Sequence, residues 1–182
     1  MKPLVFVTSN KDKAKEVEEI LGIPLEIKNL ELPEIQDIDV EKVVEYKAQQ
    51  AFNRVKSPVL VDDAGLYVHA WEGFPGAFIK YIFNSAGLDK MNKWLESESD
   101  KSITVIAALG YHDGNKVHTF TGKVKATFVD PKGDQGWGFD PYILPEGETE
   151  TWAQQGGEKK NASSHRYKAL VNFKNYLNKL EK

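Results

Sequence analysis

Hydrophobic positions along the chain alternate between two periods, and the changes of period mark its elements. Leu4–Val7 is a short apolar run of strand formers, read as a buried first strand. Ala14, Val17, Ile20 and Leu21 then recur at helical spacing, and Gly22 followed by Pro24 closes that helix. Leu25–Leu30 reads as a second strand and Leu32–Gln36 as a loop. From Asp39 a long helix keeps Val40, Val43, Val44, Ala48, Ala51, Phe52 and Val55 on one face until Ser57-Pro58 stops it. Val59–Val61 is a buried strand ending on Asp62-Asp63, with Leu66–Val68 as its return or continuation. Gly73–Gly76 is a turn, followed by helices through Ile79, Ile82 and Phe83 and over Leu88–Leu95. Ser102–Tyr111 and Lys116–Phe128 read as strands joined at His112-Asp113-Gly114-Asn115, a hairpin signal. A short strand over Tyr142–Leu144 follows. Ser163 or Ser164 then caps a last helix with Ala169, Leu170, Phe173, Leu177 and Leu180 on one face. A β-α-β entry with an antiparallel middle predicts an α/β mixed sheet flanked by helices.

Composition narrows the class. The 182 residues suit a single domain spanning residues 1–182, or two lobes sharing one sheet, with 41% hydrophobic and 28% charged residues. A net charge of −3 gives no general attraction to nucleic acid or anionic lipid, so any anion site must be built locally. The absence of cysteine excludes disulfides, thiolate metal sites and cysteine nucleophiles. The apolar N-terminal run is too short for a signal segment, and no stretch is long enough to span a membrane. A cytosolic protein is therefore expected.

Three clusters could carry chemistry. Thr8-Ser9-Asn10-Lys11-Asp12-Lys13 lies where a buried strand hands over to a helix, whose unpaired N–H groups favour anions. Ser9, Asn10, Lys11 and Lys13 would extend that cradle to a polyphosphate. The alternative is a plain N-cap with solvated lysines. Asp62-Asp63 follows a hydrophobic strand, a costly place for two acids unless they meet a cation. Mg²⁺ takes one or two carboxylates plus substrate phosphates, and Glu34 is the candidate second carboxylate. The alternative is a capped turn into Ala64-Gly65. Finally, Gly136-Trp137-Gly138-Phe139-Asp140-Pro141 offers an aromatic platform, and Lys160, His165 and Arg166 a polar cluster suited to oxyanions or a purine edge. Trp137 or Phe139 could stack on a base, with Asp140 positioning it. His69, His112 and His118 lack ligand spacing and read as structural or solvent-facing. Trp71, Trp94 and Trp152 read as packing residues.

Together these stretches resemble the inosine triphosphate pyrophosphatase family. The matching runs are Thr8-Ser9-Asn10-Lys11-x-Lys13, Leu32–Gln36, Val61-Asp62-Asp63-Ala64-Gly65-Leu66, Gly73–Gly76, Gly138–Pro141 and Lys160-Asn161-Ala162-x-Ser164-His165-Arg166, in the family's order. The resemblance implies an elongated mixed α/β fold of two lobes with the site in the cleft between them. It implies hydrolysis of a nucleoside triphosphate to the monophosphate and pyrophosphate with Mg²⁺, in a homodimer. By motif, Thr8, Ser9, Asn10, Lys11 and Lys13 would contact the triphosphate. Glu34 and Asp63 would serve the metal, with Asp62 a further candidate, and Asp63 would orient or deprotonate water. Ala64, Trp137, Gly138, Phe139, Asp140, Lys160, His165 and Arg166 would form the substrate pocket. Ala64 stands where many relatives carry Ser, and Trp137 where Phe is common, which bears on base specificity. The competing expectations are the same chemistry on another non-standard nucleotide, or a nucleotide-binding module without catalysis.

Overall fold

The computed structural model describes residues 3–180. Among them seven strands form one sheet: β1 Leu4–Val7, β2 Leu25–Lys28, β3 Val59–Val68, β4 Pro75–Gly76, β5 Ser102–His112, β6 Val117–Phe128 and β7 Ile143–Pro145. The order is β2-β1-β3-β5-β6-β7, with β4 beside the far end of β3. Pairing is parallel from β2 through β1 to β3 and antiparallel beyond. Six helices flank the sheet: α1 Lys11–Leu21, α2 Val40–Val55, α3 Ile79–Ser85, α4 Leu88–Leu95, α5 Trp152–Asn161 and α6 His165–Leu180.

The two-residue period of the strands distributes the core. On one face Val5, Val7, Val59, Val61 and Ala108 meet the Val40, Val43, Val44, Ala48 and Ala51 stripe of α2. On the other, Phe6, Leu60, Ala107 and Leu109 meet Val17 and Leu21 of α1 and Ala169, Leu170 and Phe173 of α6. Farther along the same strands, Leu66, Val68, Ile103, Val105, Val124 and Phe128 pack with Ile82, Leu88, Met91, Leu95 and Trp152. The long strands β3, β5 and β6 thus carry two packed ends. Close helix approach is set by glycine: a Cβ on Gly110 would lie 2.7 Å from the Val44 carbonyl oxygen, and one on Gly122 would strike the backbone of His165 and Ala169.

Several boundaries differ from the sequence reading. β3 does not end on Asp62-Asp63; of the two alternatives for Leu66–Val68, continuation holds, because β5 pairs with all ten residues through Val68. β2 stops at Lys28, Tyr142 lies in a 3-10 turn, and β7 runs to Pro145. Helix α5 was not expected: it has few apolar positions and a kink at Gly156 (φ 74°), and a Thr151–Gln154 capping box starts it. Ser164 is the cap of α6, its Oγ accepting the Tyr167 N–H. Trp152 is buried as expected, whereas Trp94 is 43% exposed. Of the histidines, His112 stacks on Phe52, His118 pairs with Asp113, and His69 lies between Ser102 and Thr104.

Candidate active site

A cleft of about 630 Å³ opens between the two packed ends of the sheet. Its floor is a consequence of register. β3 pairs with β1 through Val59 and Leu60 and with β4 through Leu66 and Tyr67, and the stretch between them borders the cleft on that edge. Beside it β1 ends and α1 begins, so a helix N-terminus and a strand edge share one wall. Asn10 caps α1, its side-chain oxygen accepting the N–H groups of Asp12 and Lys13. Thr8, Ser9, Asn10 and Lys13 line the cleft; Lys11 does not.

Asp62 and Asp63, adjacent on β3, point to opposite faces. Asp62 is buried, with Arg166 Nε 2.9 Å from Oδ2 and Lys13 Nζ 2.9 Å from Oδ1, the latter an ion contact rather than an aligned hydrogen bond. Burial pushes its carboxyl up, but the two cations outweigh this and hold it well below the usual range. Asp63 is more open. Its Oδ1 accepts the Ala64 N–H at 2.9 Å, and Lys47 and Lys13 stand 3.5 and 3.7 Å away.

Glu34 reaches the same cleft from the loop before α2. Tyr67 anchors that loop, its hydroxyl donating to the Ile38 carbonyl and accepting the Val40 N–H. Lys47 Nζ lies 2.8 Å from Glu34 Oε1, and Lys80 pairs with Oε2. Burial raises the Glu34 carboxyl, yet the two ammonium groups bring it down to about 2. Lys47 and Lys80 were not singled out from sequence. Lys47 carried a signal: it stands between Val43 and Ala51 at four-residue steps, a lysine within an apolar stripe.

Behind the cleft lies a buried charge network. Glu16 of α1 accepts from the Trp137 indole N–H (2.8 Å), Lys160 Nζ (2.7 Å) and Arg166 Nη1. Asp140 Oδ2 accepts from Lys160 Nζ (2.7 Å) and the Trp137 N–H (2.9 Å). The Lys160 and Arg166 cations lie 5.2 and 5.3 Å from the Trp137 ring centre. Trp137, Gly138 and Phe139 line the cleft with Ala64, while Asp140, Lys160, His165 and Arg166 sit behind them, not along its wall. An open anion clamp was expected here. Instead, the two cations are buried among Glu16, Asp62 and Asp140, because unpaired charges at that depth are costly. His165 stacks on Trp152 at 5.0 Å, and among the described residues neither ring nitrogen has a hydrogen-bond partner, nor does Arg166 Nη2. Burial, reinforced by Arg166 and Lys160, keeps this imidazole neutral, its pKa well below 6.5. Glu16, at the centre of this network, was also missed from sequence.

An open mixed sheet, a helix N-terminus, three lysines and paired carboxylates converging on one cleft define an α/β protein equipped to hold a polyanion beside acidic groups. The chain belongs to the Ham1 family, whose model matches residues 4–176. It is 39% identical over 178 residues to a protein named dITP/XTP pyrophosphatase from Thermococcus kodakarensis, covering 96% of each chain. It is 38% identical to an inosine triphosphate pyrophosphatase from Aspergillus fumigatus, covering 96% of this chain and 94% of that one. Among solved structures, the Ham1 protein of Staphylococcus aureus superposes with a TM-score of 0.85 over the whole of both chains at 22% identity. A HAM1 protein from Coxiella burnetii gives 0.83 at 26% identity, over 98% of this chain and all of that one.

Proposed function

We propose that the protein hydrolyses non-standard purine nucleoside triphosphates (ITP, dITP and XTP) to the monophosphate and pyrophosphate. The observation that carries this reading is the Asp63 carboxylate, lining the cleft together with Glu34 where α1 begins. The names of the relatives, dITP/XTP and inosine triphosphate pyrophosphatases, supply the substrate class.

Lys13, the α1 N-terminus and the hydroxyls of Thr8 and Ser9 hold the triphosphate. Asp63 accepts a proton from the attacking water; the Ala64 N–H bound to Oδ1 fixes that carboxylate's orientation and leaves Oδ2 toward Lys47. Among the described residues no three Asp, Glu or His side chains form a ready ligand set. Glu34 and Asp63 nevertheless fit Mg²⁺, which takes one or two carboxylates when phosphate oxygens complete its shell, whereas Asp62, the further candidate, is engaged by Arg166 and Lys13. Bound there, Mg²⁺ supplies Lewis-acid stabilisation of the phosphoanhydride oxygens. The purine lies against Trp137 and Phe139, over the Gly138 backbone. Behind that platform, His165 and Arg166 Nη2 have no partner among the described residues, and with Lys160 and Asp140 they back the wall against which the base packs. The family resemblance supports a homodimer, and the short apolar N-terminal run a cytosolic location. No described helix is long and apolar enough to cross a membrane.

A pocket presenting donors pairs with the 6-oxo group of hypoxanthine or xanthine and confronts the 6-amino group of adenine. Sites built on such bonds discriminate by as much as roughly 10⁴–10⁵. Pyrophosphate release should favour ITP, dITP and XTP over ATP by at least about 10²-fold in kcat/KM and over GTP by less, and should require Mg²⁺. Equal kcat/KM for ITP and ATP would defeat the specificity; a different preferred nucleotide would redirect the substrate; and tight ITP binding without turnover would leave a binding module.

A further inference from the structure

The carboxylates assigned to the metal already hold a cation, and it belongs to the protein. Lys47 Nζ lies 2.8 Å from Glu34 Oε1, 3.5 Å from Asp63 Oδ2 and 3.5 Å from the Asp62 carbonyl oxygen. An ammonium has three donors and no acceptor, and here it meets three oxygens from two elements. The side chain is 16% exposed, rooted in the apolar stripe of α2, so it is held rather than waving in solvent. Its neighbours Lys80, on Glu34, and Lys13, on Asp63, each touch only one member of the pair. Among the described residues, Lys47 alone bridges both.

We propose that Lys47 is a resident counter-ion of the Glu34–Asp63 pair: it holds the two carboxylates in register in the metal-free protein, and a divalent cation binds by displacing it. This rests on the metal assignment of the preceding section. Two carboxylates facing one cleft repel each other unless a cation lies between them, and the bridging ammonium removes that repulsion. The same ammonium opposes an incoming divalent ion, which must take the same oxygens. Once displaced, Lys47 keeps its charge on a flexible four-carbon stem beside the α1 N-terminus, where a polyphosphate gains from it. Metal and polyanion therefore strengthen each other's binding, reciprocally, through one side chain.

The test is calorimetric titration of Mn²⁺ into nucleotide-free protein, comparing the parent with Lys47→Met and Lys47→Arg, with melting curves recorded in chelator and in Mn²⁺. Removing a like charge a few ångströms from the incoming ion should make Lys47→Met bind Mn²⁺ about tenfold more tightly or better. It should also make its melting temperature more dependent on Mn²⁺ than the parent's. The guanidinium of Lys47→Arg grips two carboxylates through its fork and should weaken Mn²⁺ binding several-fold. A purely structural Lys47 predicts the opposite sign: loss of the prop would disorganise Glu34, and Lys47→Met would bind Mn²⁺ no better or worse, which overturns the proposal. If Lys47→Met does not fold, Lys47→Arg decides, and Mn²⁺ affinity equal to or above the parent's overturns it. No nucleotide is present, so a parent lacking pyrophosphatase activity would fail the proposed function independently of this result.

Discussion

At the scale of single residues, Asp62 and Asp63 show how position separates two identical side chains. Their adjacency on a continuing strand sends them to opposite faces, one into Arg166 and Lys13, the other toward the cleft. Asp63→Asn should keep the melting curve of the parent and cost roughly 10²–10⁴-fold in turnover through loss of the proton acceptor. Asp62→Asn should do the reverse first, destabilising the fold by about 3–5 kcal/mol, because Arg166 would be left buried with Glu16 as its one carboxylate. Parallel activity and melting measurements separate the two; equal thermal loss in both variants would show that the faces are misassigned. The sequence made the acidic pair visible but not this division, because the pair was read as a strand end. Lys47 and Glu16 escaped for a related reason: each sits inside a helix whose apolar stripe drew attention, and their partners lie 13 and more residues away.

At the scale of elements, strands and helices with clean periodicity were legible, including the β-α-β entry and the β5–β6 hairpin. Helix α5 was not, because a capping box, two glycines and surface polar residues leave no amphipathic signal. What seats α6 and its leading His165-Arg166 behind the cleft is a glycine on β6. Gly122→Ala would drive a methyl into the backbone of His165 and Ala169, and neither can yield without moving the helix. Overpacking of this kind costs about 1–3 kcal/mol, so the denaturation midpoint should fall. Because the displaced helix carries Arg166, KM for ITP should rise as well. Gly157→Ala in α5 is the control: its added Cβ meets nothing within 4 Å, its φ is ordinary, and helix propensity should leave stability unchanged or slightly raised. A Gly122→Ala protein as stable as the parent would show that α6 is not seated by that contact.

At the scale of the whole molecule, the buried network ties α1, β3, the Trp137 loop, α5 and α6 into one electrostatic unit. Cations and carboxylates are so interleaved that the fold and the base-facing wall of the cleft depend on each other. Sequence gave the wall its residues; it could not show that its cations face inward, because pairing at separations above 100 residues is a property of the closed fold. His165 makes this coupling measurable. Folded, its imidazole stays neutral well below pH 6.5, whereas unfolded it takes a proton near its ordinary value. A depressed folded pKa contributes stability that is present above the unfolded pKa and lost as pH falls below it. The fall in pH below 6.5 therefore removes stability, by at most about 1.4 kcal/mol per pH unit for one group, before carboxylates enter. Glu16 and Asp62, whose pKa values are lowered on balance by Arg166 with Lys160 or Lys13 against burial, add losses of the same sign below about pH 4.5. Asp140, raised by burial despite Lys160, works against them. Urea unfolding at pH 7.5 and pH 5 should therefore differ in midpoint well before acid denaturation sets in, and His165→Phe should flatten that dependence. A parent stability that is level across this range would mean that His165 is protonated within the fold, and that the purine-facing wall carries one more positive charge than the structure assigns it.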